Sequence, residues 1–437
     1  MTNQRVCIIG GGPGGLASVK ALNLEPSKSA IDLYELRSSF GGVWNYYPQK
    51  SKIRTDEEIK DNEIKDYSPV YKHLETNVIH ELMAFSNFPF TCQNEFPTHE
   101  EVLKYLLDYS ETIGDIDNLY FNHKVVEVIK IGNQWEVTAQ SSKGSITKSY
   151  DYVIAANGHF YKPFYPEIPG LEQWHVNDPY SLTHAKFFND GVDFKDKTVV
   201  LIGGFSSGSD IALHLSRYAK KIYVSLKPDA KVMGELDKIN PFIEIIPEIS
   251  SLDYESKTIT TNDGQTIETD SIIVCAGYFY DLPFLKYSTI CKKHYIDELY
   301  KQIFWYKDPS LMFLGLGRNV NPFPMIELQA SVIARVITRR IPLPTMEEME
   351  ISYLEDIKQS GRGKSFHDYK PPKDLEYTKY WQDVIIQHQA QHGLNSPVYE
   401  GRRLELKMKA GEIKDQRIKS VNQKFLFKRG LISPSYP

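Results

Sequence analysis

Two glycine-bounded turns carry the chemistry this sequence can do. The first, Gly10-Gly11-Gly12-Pro13-Gly14-Gly15, follows the apolar run Val6-Cys7-Ile8-Ile9 and precedes Leu16-Ala17-Ser18-Val19-Lys20-Ala21-Leu22. Glycines at 10, 12 and 15 have the spacing that wraps a dinucleotide. The first allows the tight turn, the second bares backbone to a pyrophosphate, and the third lets helix and strand approach. The helix start adds N–H groups and a positive dipole end for the phosphates. A second apolar run, Ile31 to Tyr34, ends in Glu35, where a carboxylate holds ribose hydroxyls. Beyond Arg37 comes Phe40-Gly41-Gly42-Val43-Trp44. Paired glycines permit close backbone approach, and Trp44 offers a flat apolar face to a cofactor ring. An ordinary turn with a buried Trp accounts for the same residues.

The second turn repeats the design. Val199-Val200-Leu201-Ile202 leads into Gly203-Gly204-Phe205-Ser206-Ser207-Gly208, and a helix is expected near Asp210-Ile211-Ala212. Phe205 stands at the middle glycine position, so its side chain must turn away from a pyrophosphate or block it. The next strand, Ile222-Tyr223-Val224-Ser225, lacks a terminal acid and is followed by Lys227. A hydroxyl and a cation in place of a carboxylate favour a ribose with a 2′-phosphate, hence NADPH over NADH. Gly204-Phe205-Ser206-Ser207-Gly208 also spells the nucleophile elbow of serine hydrolases, although a hydrolase has no use for the first turn and Glu35. His388 and His392, four apart on an expected helix, have the spacing of a metal pair. Gln389 stands where a zincin carries its general base, so a solvated helix face is expected and no metal site.

These turns need strands and helices to hold them. The short, wholly apolar runs read as buried parallel strands, joined by Asp151 to Ala156, Ser271 to Cys275 and Leu311 to Leu316. Lys124 to Tyr150 alternates, as in Trp135-Glu136-Val137-Thr138, and predicts an antiparallel meander. Thr98 with Glu101 predicts a capping box, and Met325 to Arg339 predicts a helix. Lys162 to Gly170 is proline-rich and reads as a hinge; after about residue 345 the chain is polar and helical. The fold class is α/β with two dinucleotide-binding (Rossmann-like) domains, one inserted into the other. The expected boundaries are 1–165 and 282–437 for the outer domain, with a C-terminal helical extension, and 166–281 for the inserted one.

Composition sets limits. Of 437 residues 41% are hydrophobic, enough for sizeable cores, and 51 basic against 56 acidic side chains leave a net charge of −5, which argues against nucleic acid as a partner. Cys7, Cys92, Cys275 and Cys291 form no C-x-x-C pair, so no zinc ribbon or redox dithiol is written locally. The chain enters its first strand at once, leaving no room for a secretory leader, and no apolar stretch reaches spanning length. The expected location is cytoplasmic, including the cytosolic face of the endoplasmic reticulum. Residues 50–67 are charged and aperiodic, as in a solvated insertion. Residues 402–429 are rich in Lys and Arg, which fits either a packed helix or peripheral contact with an anionic membrane.

The two turns resemble those of the flavin-containing monooxygenase family, closest to its fungal, thiol-specific branch. So do Gly41-Gly42-Val43-Trp44, Leu74-Glu75-Thr76-Asn77, Asn157-Gly158-His159, Cys275-Ala276-Gly277-Tyr278 and Ile303 to Pro309. The resemblance covers nearly the whole chain. It implies that Gly10, Gly12, Pro13, Gly14, Gly15, Glu35, Arg37, Gly42, Val43, Trp44, Thr76, Asn77 and Gln329 lie at FAD, making 1–165 and 282–437 the FAD-binding domain. Asn77 would lie over the reactive face of the flavin as the catalytic residue. Gly203, Phe205, Ser206, Ser207, Gly208, Ser225 and Lys227 would lie at NADPH, in the 166–281 domain. Of the family's motif F-x-G-x-x-x-H-x-x-x-[FYW], whose positions here are Asp178, Tyr180, His184 and Phe188, only His184 and Phe188 match. Phe188 stands where ketone-oxygenating relatives carry Trp. The implied activity is NADPH-dependent reduction of FAD, formation of a 4a-hydroperoxyflavin with molecular oxygen, and attack on it by a soft nucleophile (a thiol, sulfide or amine). Two alternatives share the turns: an NADPH oxidase releasing hydrogen peroxide, and a disulfide-reductase-like flavoprotein, which needs the dithiol this sequence lacks.

Overall fold

A computed structural model describes residues 4–48, 68–285 and 289–431. The expected insertion at 50–67 lies outside the described residues. The chain forms two α/β units, each assembled from three separate stretches. The first takes residues 1–45, 78–162 and 279–407; the second takes 46–77, 163–278 and 408–437.

The first unit is built on strand β1 (Gln4–Ile9), helix α1 (Pro13–Asn23) and strand β2 (Ser29–Tyr34). Val6, Cys7 and Ile8 are wholly buried because β1 lies in mid-sheet, with parallel partners on both sides: β2 and Tyr152–Ala155. That is why its sequence is apolar without alternation. Asn118–Tyr120 extends the sheet beyond β2, and Leu311–Phe313 pairs in parallel with Tyr152–Ala155, followed by the short strands Phe304–Trp305 and Leu299–Tyr300. Lys124–Ile131, Gln134–Ser141 and Gly144–Tyr150 form the antiparallel meander, with Trp135, Val137 and Ala139 fully buried. The helix His99–Ser110 opens with the expected box: Thr98 N donates to Glu101 Oε2 at 2.8 Å and Thr98 Oγ1 accepts from Glu101 N at 3.4 Å.

The second unit repeats the plan with strand β3 (Thr198–Ile202), helix α2 (Ser206–Leu215) and strand β4 (Lys221–Ser225). β3 pairs in parallel with β4 and with Ser271–Val274; Ile243–Ile246 and Leu182–His184 complete five strands. A three-stranded antiparallel sheet, Ile249–Asp253, Thr258–Thr261 and Thr266–Glu268, belongs to the same unit.

Helix α3 (Pro322–Ile337) starts three residues ahead of its expected beginning, with Pro322 at its first position, where a missing N–H costs nothing. Two features depart from expectation. Residues 46–77 and the chain from Met408 on belong to the second unit. Helix α4 (Ala410–Lys428) sets Ile418, Val421 and Phe425 against that unit's core. Second, His388 and His392 do not share a helix. The helix Lys373–Gln387 ends just before His388, and Gln389 takes a left-handed φ of 52°. The cause is Arg335, buried on α3, which donates to the carbonyls of Ala390, Leu394 and His392 at 2.7–2.9 Å and pulls the chain into a loop.

The basic stretch 402–429 spends much of its charge inside the chain. Arg402 pairs with Glu81 and Lys407 with buried Asp374 in the first unit. Arg417 pairs with Glu75 in the second, where Arg429 donates to Ser216 O and Ala219 O. Partnered cations pull less on an anionic surface. Among the described residues no helix is long and apolar enough to cross a membrane.

Candidate functional site

The first turn is closed by sterics that only glycine satisfies. Gly10 takes φ 109° and donates its N–H to Tyr34 O at 2.8 Å; a Cβ on it would lie 2.6 Å from Ala156 O. A Cβ on Gly15 would lie 1.9 Å from Gly10 O, so strand and helix meet through bare backbone. Gly14 sits against Leu314, and Pro13 opens α1 behind the N-cap Gly12, which offers no side-chain cap. Glu35 is buried and binds back onto the turn: Oε2 accepts from Gly11 N at 2.6 Å and Oε1 from Arg37 N at 2.8 Å. This carboxylate therefore braces the turn.

Gly41 N donates to Gly11 O at 3.0 Å, and a Cβ on Gly42 would lie 2.9 Å from Gly12 Cα. The Gly-Gly pair is thereby docked on the turn, and Gly42, Val43 and Trp44 form one 3-10 turn with Trp44 half-buried against the core. Gln329 is buried on α3. Its Oε1 accepts from Gly315 N at 2.9 Å and its Nε2 donates to Tyr377 OH at 3.2 Å. Its side chain holds Gly315, in the loop after Leu311–Phe313. Thr76 and Asn77 belong to the second unit, with Thr76 buried and Asn77 exposed.

The second turn has the same two closures. Gly203 takes φ 102° and donates to Ser225 O at 3.0 Å; a Cβ on Gly208 would lie 2.0 Å from Gly203 O. Phe205 has φ −72° and ψ −150°, close to the −80° and −168° of Gly12. The position therefore accepts a side chain without backbone strain, and the ring is 59% exposed. Ser206 opens α2 and has no left-handed φ, unlike the strained serine of a nucleophile elbow. Ser225 Oγ donates to Pro247 O at 3.0 Å. Lys227, two residues beyond β4, is exposed.

His184 is structural. Its Nδ1 accepts from Lys186 N and its Nε2 donates to Gly277 O, both at 3.0 Å, and burial pushes its pKa down to about 3. Phe188 packs on Tyr71 in the second unit's core. Burial also pushes all four thiols above their ordinary range, Cys275 to about 12, away from the thiolate that redox chemistry requires.

Three residues outside the sequence-based set shape these sites. Ser209 Oγ donates to Gly204 O at 2.5 Å and accepts from Met233 N at 2.8 Å, tying the second turn to the loop after β4. Asp415 accepts from Gly234 N at 3.0 Å in the same loop. Glu327, two residues before Gln329, is fully buried; Oε2 accepts from Ser86 N at 2.8 Å, while Oε1 and the nearby Tyr109 OH make no hydrogen bond to protein. Burial pushes the Glu327 carboxyl up to about 7, against the pull of the Ser86 amide, Lys20 and Arg403. A lone Ser, Asp or Glu in a helix gives no sequence signal of such a partner.

The family described as "Flavin-binding monooxygenase-like" matches residues 3–246 and 236–419. A thiol-specific monooxygenase of Saccharomyces cerevisiae is 31% identical over 434 residues, covering 95% of this chain and 93% of the relative. A flavin-containing monooxygenase of Arabidopsis thaliana, FMO GS-OX-like 2, is 30% identical over 410 residues, covering 87% and 85%. Among solved structures, S-allyl-L-cysteine S-oxygenase from Allium sativum superposes with a TM-score of 0.81 at 26% identity, over 98% of this chain and 99% of that one.

Proposed function

The chain belongs to the flavin-binding monooxygenase-like family, and on that premise we propose that it is an FAD- and NADPH-dependent monooxygenase of soft nucleophiles. Thiols come first, with sulfides and amines as further members of the class. The observation that carries this reading is the pair of closed turns on one chain, with Gly15 locked on Gly10 and Gly208 on Gly203. The residues fit the cofactors. The close approach of Gly12 and Gly42, which a Cβ would fill, suits a pyrophosphate, and the Glu35 carboxylate at the end of β2 beside the turn suits a ribose diol. The glycine turn at Gly203 to Gly208, with Lys227 beyond β4, suits a nucleotide with a 2′-phosphate.

Bound flavin, reduced by NADPH, would activate molecular oxygen, one atom passing to the substrate sulfur and the other leaving as water, without acid–base help on the substrate. The chain's own part is to bind, orient and keep water out. Glu35 holds the ribose, Trp44 lends an apolar face, and Asn77 offers an amide that donates and accepts without titrating. The task of Asn77 is to keep oxygen on the path to product instead of hydrogen peroxide. The sulfur preference is supported by the similarity to the thiol-specific monooxygenase of Saccharomyces cerevisiae and the S-allyl-L-cysteine S-oxygenase of Allium sativum. The raised thiols disfavour the disulfide-reductase alternative.

The test is a flavin spectrum of the purified chain, followed by NADPH consumption, product and peroxide measured together with thiols, sulfides and amines. One FAD per chain and product matching NADPH are expected. Colourless protein that FAD does not stabilise refutes the cofactor assignment, and peroxide matching NADPH with every nucleophile establishes the oxidase instead. Asn77→Ala is expected to keep FAD and its reduction by NADPH while product per NADPH falls; an unchanged ratio removes Asn77 from the active site.

A further inference from the structure

The chain leaves β4 at Ser225 and makes an exposed crest, residues 227–231, between two buried anchors, Leu226 and Val232. Both anchors lie against Gly204 of the second turn, where a Cβ would come within 2.7 Å of Leu226 Cδ2 and 3.2 Å of Val232 Cγ1. Ser209 ties Met233 N to Gly204 O, as described above. The next two residues both take left-handed backbone, Gly234 at φ 66° and Glu235 at φ 52°. A non-glycine in that conformation persists only where its surroundings dictate it.

Helix α4 supplies those surroundings. Asp415 Oδ1 accepts from Gly234 N at 3.0 Å, and Ile418 fills the space beside Gly234, where a Cβ would meet its Cγ2 at 2.6 Å. Lys419 lies 3.8 Å from the Glu235 carboxylate. One turn further on, buried Asn422 Oδ1 accepts from Asn240 Nδ2 at 2.7 Å. The crest between β4 and Gly234 carries Lys227 and Lys231 and is neither helix nor strand; its one turn is closed by Ala230 N donating to Lys227 O at 3.1 Å. Its ends are set by the second turn on one side and by α4 on the other.

We propose that the C-terminal helix positions the 2′-phosphate recognition loop. By holding Gly234, Asp415 fixes the crest so that Lys227 and Lys231 stand where the phosphate of the nucleotide arrives. The inference rests on the reading of this turn as the NADPH site. Asp415 is a positioning residue: it touches the loop and leaves the contact with phosphate to the lysines. Its removal lets the crest wander, which costs the phosphate-bearing nucleotide and spares the one without it.

The experiment uses the full-length, FAD-loaded protein and measures dissociation constants for NADPH and NADH by titration under exclusion of oxygen. Asp415→Ala is expected to weaken NADPH binding about tenfold while NADH binding changes less than twofold. Asp415→Asn keeps a carbonyl acceptor for Gly234 N and is expected to bind both as the parent does. Should the alanine variant not fold, Asp415→Ser, too short to reach Gly234 N, takes its place with the same expectation. Equal weakening of both nucleotides, or no change in either, overturns the inference. Lys227→Ala is measured alongside it. If the parent prefers NADPH and Lys227→Ala abolishes that preference while Asp415→Ala does not, the positioning role falls and the NADPH site stands. If parent and Lys227→Ala both bind the two nucleotides equally, the NADPH reading of the turn falls and the inference with it.

Discussion

Replacing Glu327 by glutamine is expected to stabilise the first unit at neutral and alkaline pH and to change it little in acid. The carboxyl, ordinarily near 4.5, is pushed up by burial to about 7. Below pH 4.5 it is protonated in both folded and unfolded chain, so it contributes no pH dependence. Between those two values the folded chain holds a proton that the unfolded chain has released, and stability falls by about 1.4 kcal/mol per pH step. Above about 7 the loss is complete, at about 3 kcal/mol in all. Glutamine keeps the acceptor for Ser86 N and cannot ionise. Thermal unfolding of FAD-loaded parent and variant at matched pH isolates this group, because every other titration is common to both. From pH 5 to pH 8 the gap in favour of Glu327→Gln should widen by about 2–3 kcal/mol, roughly 5–10 °C in Tm for a unit of this size. A gap that stays constant with pH would refute the assignment of a raised carboxyl at this position.

Other substitutions probe the two turns separately. Gly15→Ala drives a methyl into Gly10 O at 1.9 Å and is expected to abolish FAD content, read from flavin absorbance per chain. Gly208→Ala makes the matching clash at 2.0 Å in the other turn, and should abolish NADPH binding in titrations while FAD stays bound. Phe205→Gly removes an exposed ring from a position without backbone strain; NADPH affinity should hold or improve, and a tenfold weakening would show that the ring packs on the nucleotide.

Both turns were legible in the sequence because their requirement is steric and local. A carbonyl 1.9–2.0 Å from a Cβ position leaves glycine alone, and the glycine is written at that place. The strands flanked on both sides were legible for a similar reason, since a strand buried on both faces must be apolar at every residue. What the sequence did not show came from distant partners. The helix that ends before His388 would run on by local preference, and is stopped by carbonyls drawn toward Arg335 from another helix. The Ser225 hydroxyl donates to Pro247 O, a partner in another loop that the local pattern does not show. The basic tail from Met408 fits either a packed helix or a membrane contact, because the apolar residues it sets against the core, Ile418, Val421 and Phe425 among them, are few and scattered between cations.

The interleaving of the two units has a consequence for how the chain comes to exist. The first unit needs Leu311–Phe313 to complete the pairing of Tyr152–Ala155, and α3 beyond it; its last stretch ends at residue 407. The second unit's core lacks Ile418, Val421 and Phe425, which pack against it, until α4 has been made. During synthesis at about 5–20 residues per second, β1 gains its second parallel neighbour only when Tyr152–Ala155 has been made, and that strand in turn gains Leu311–Phe313 later still. Neither unit is finished early, because the last stretch of the first begins only at residue 279 and that of the second at residue 408.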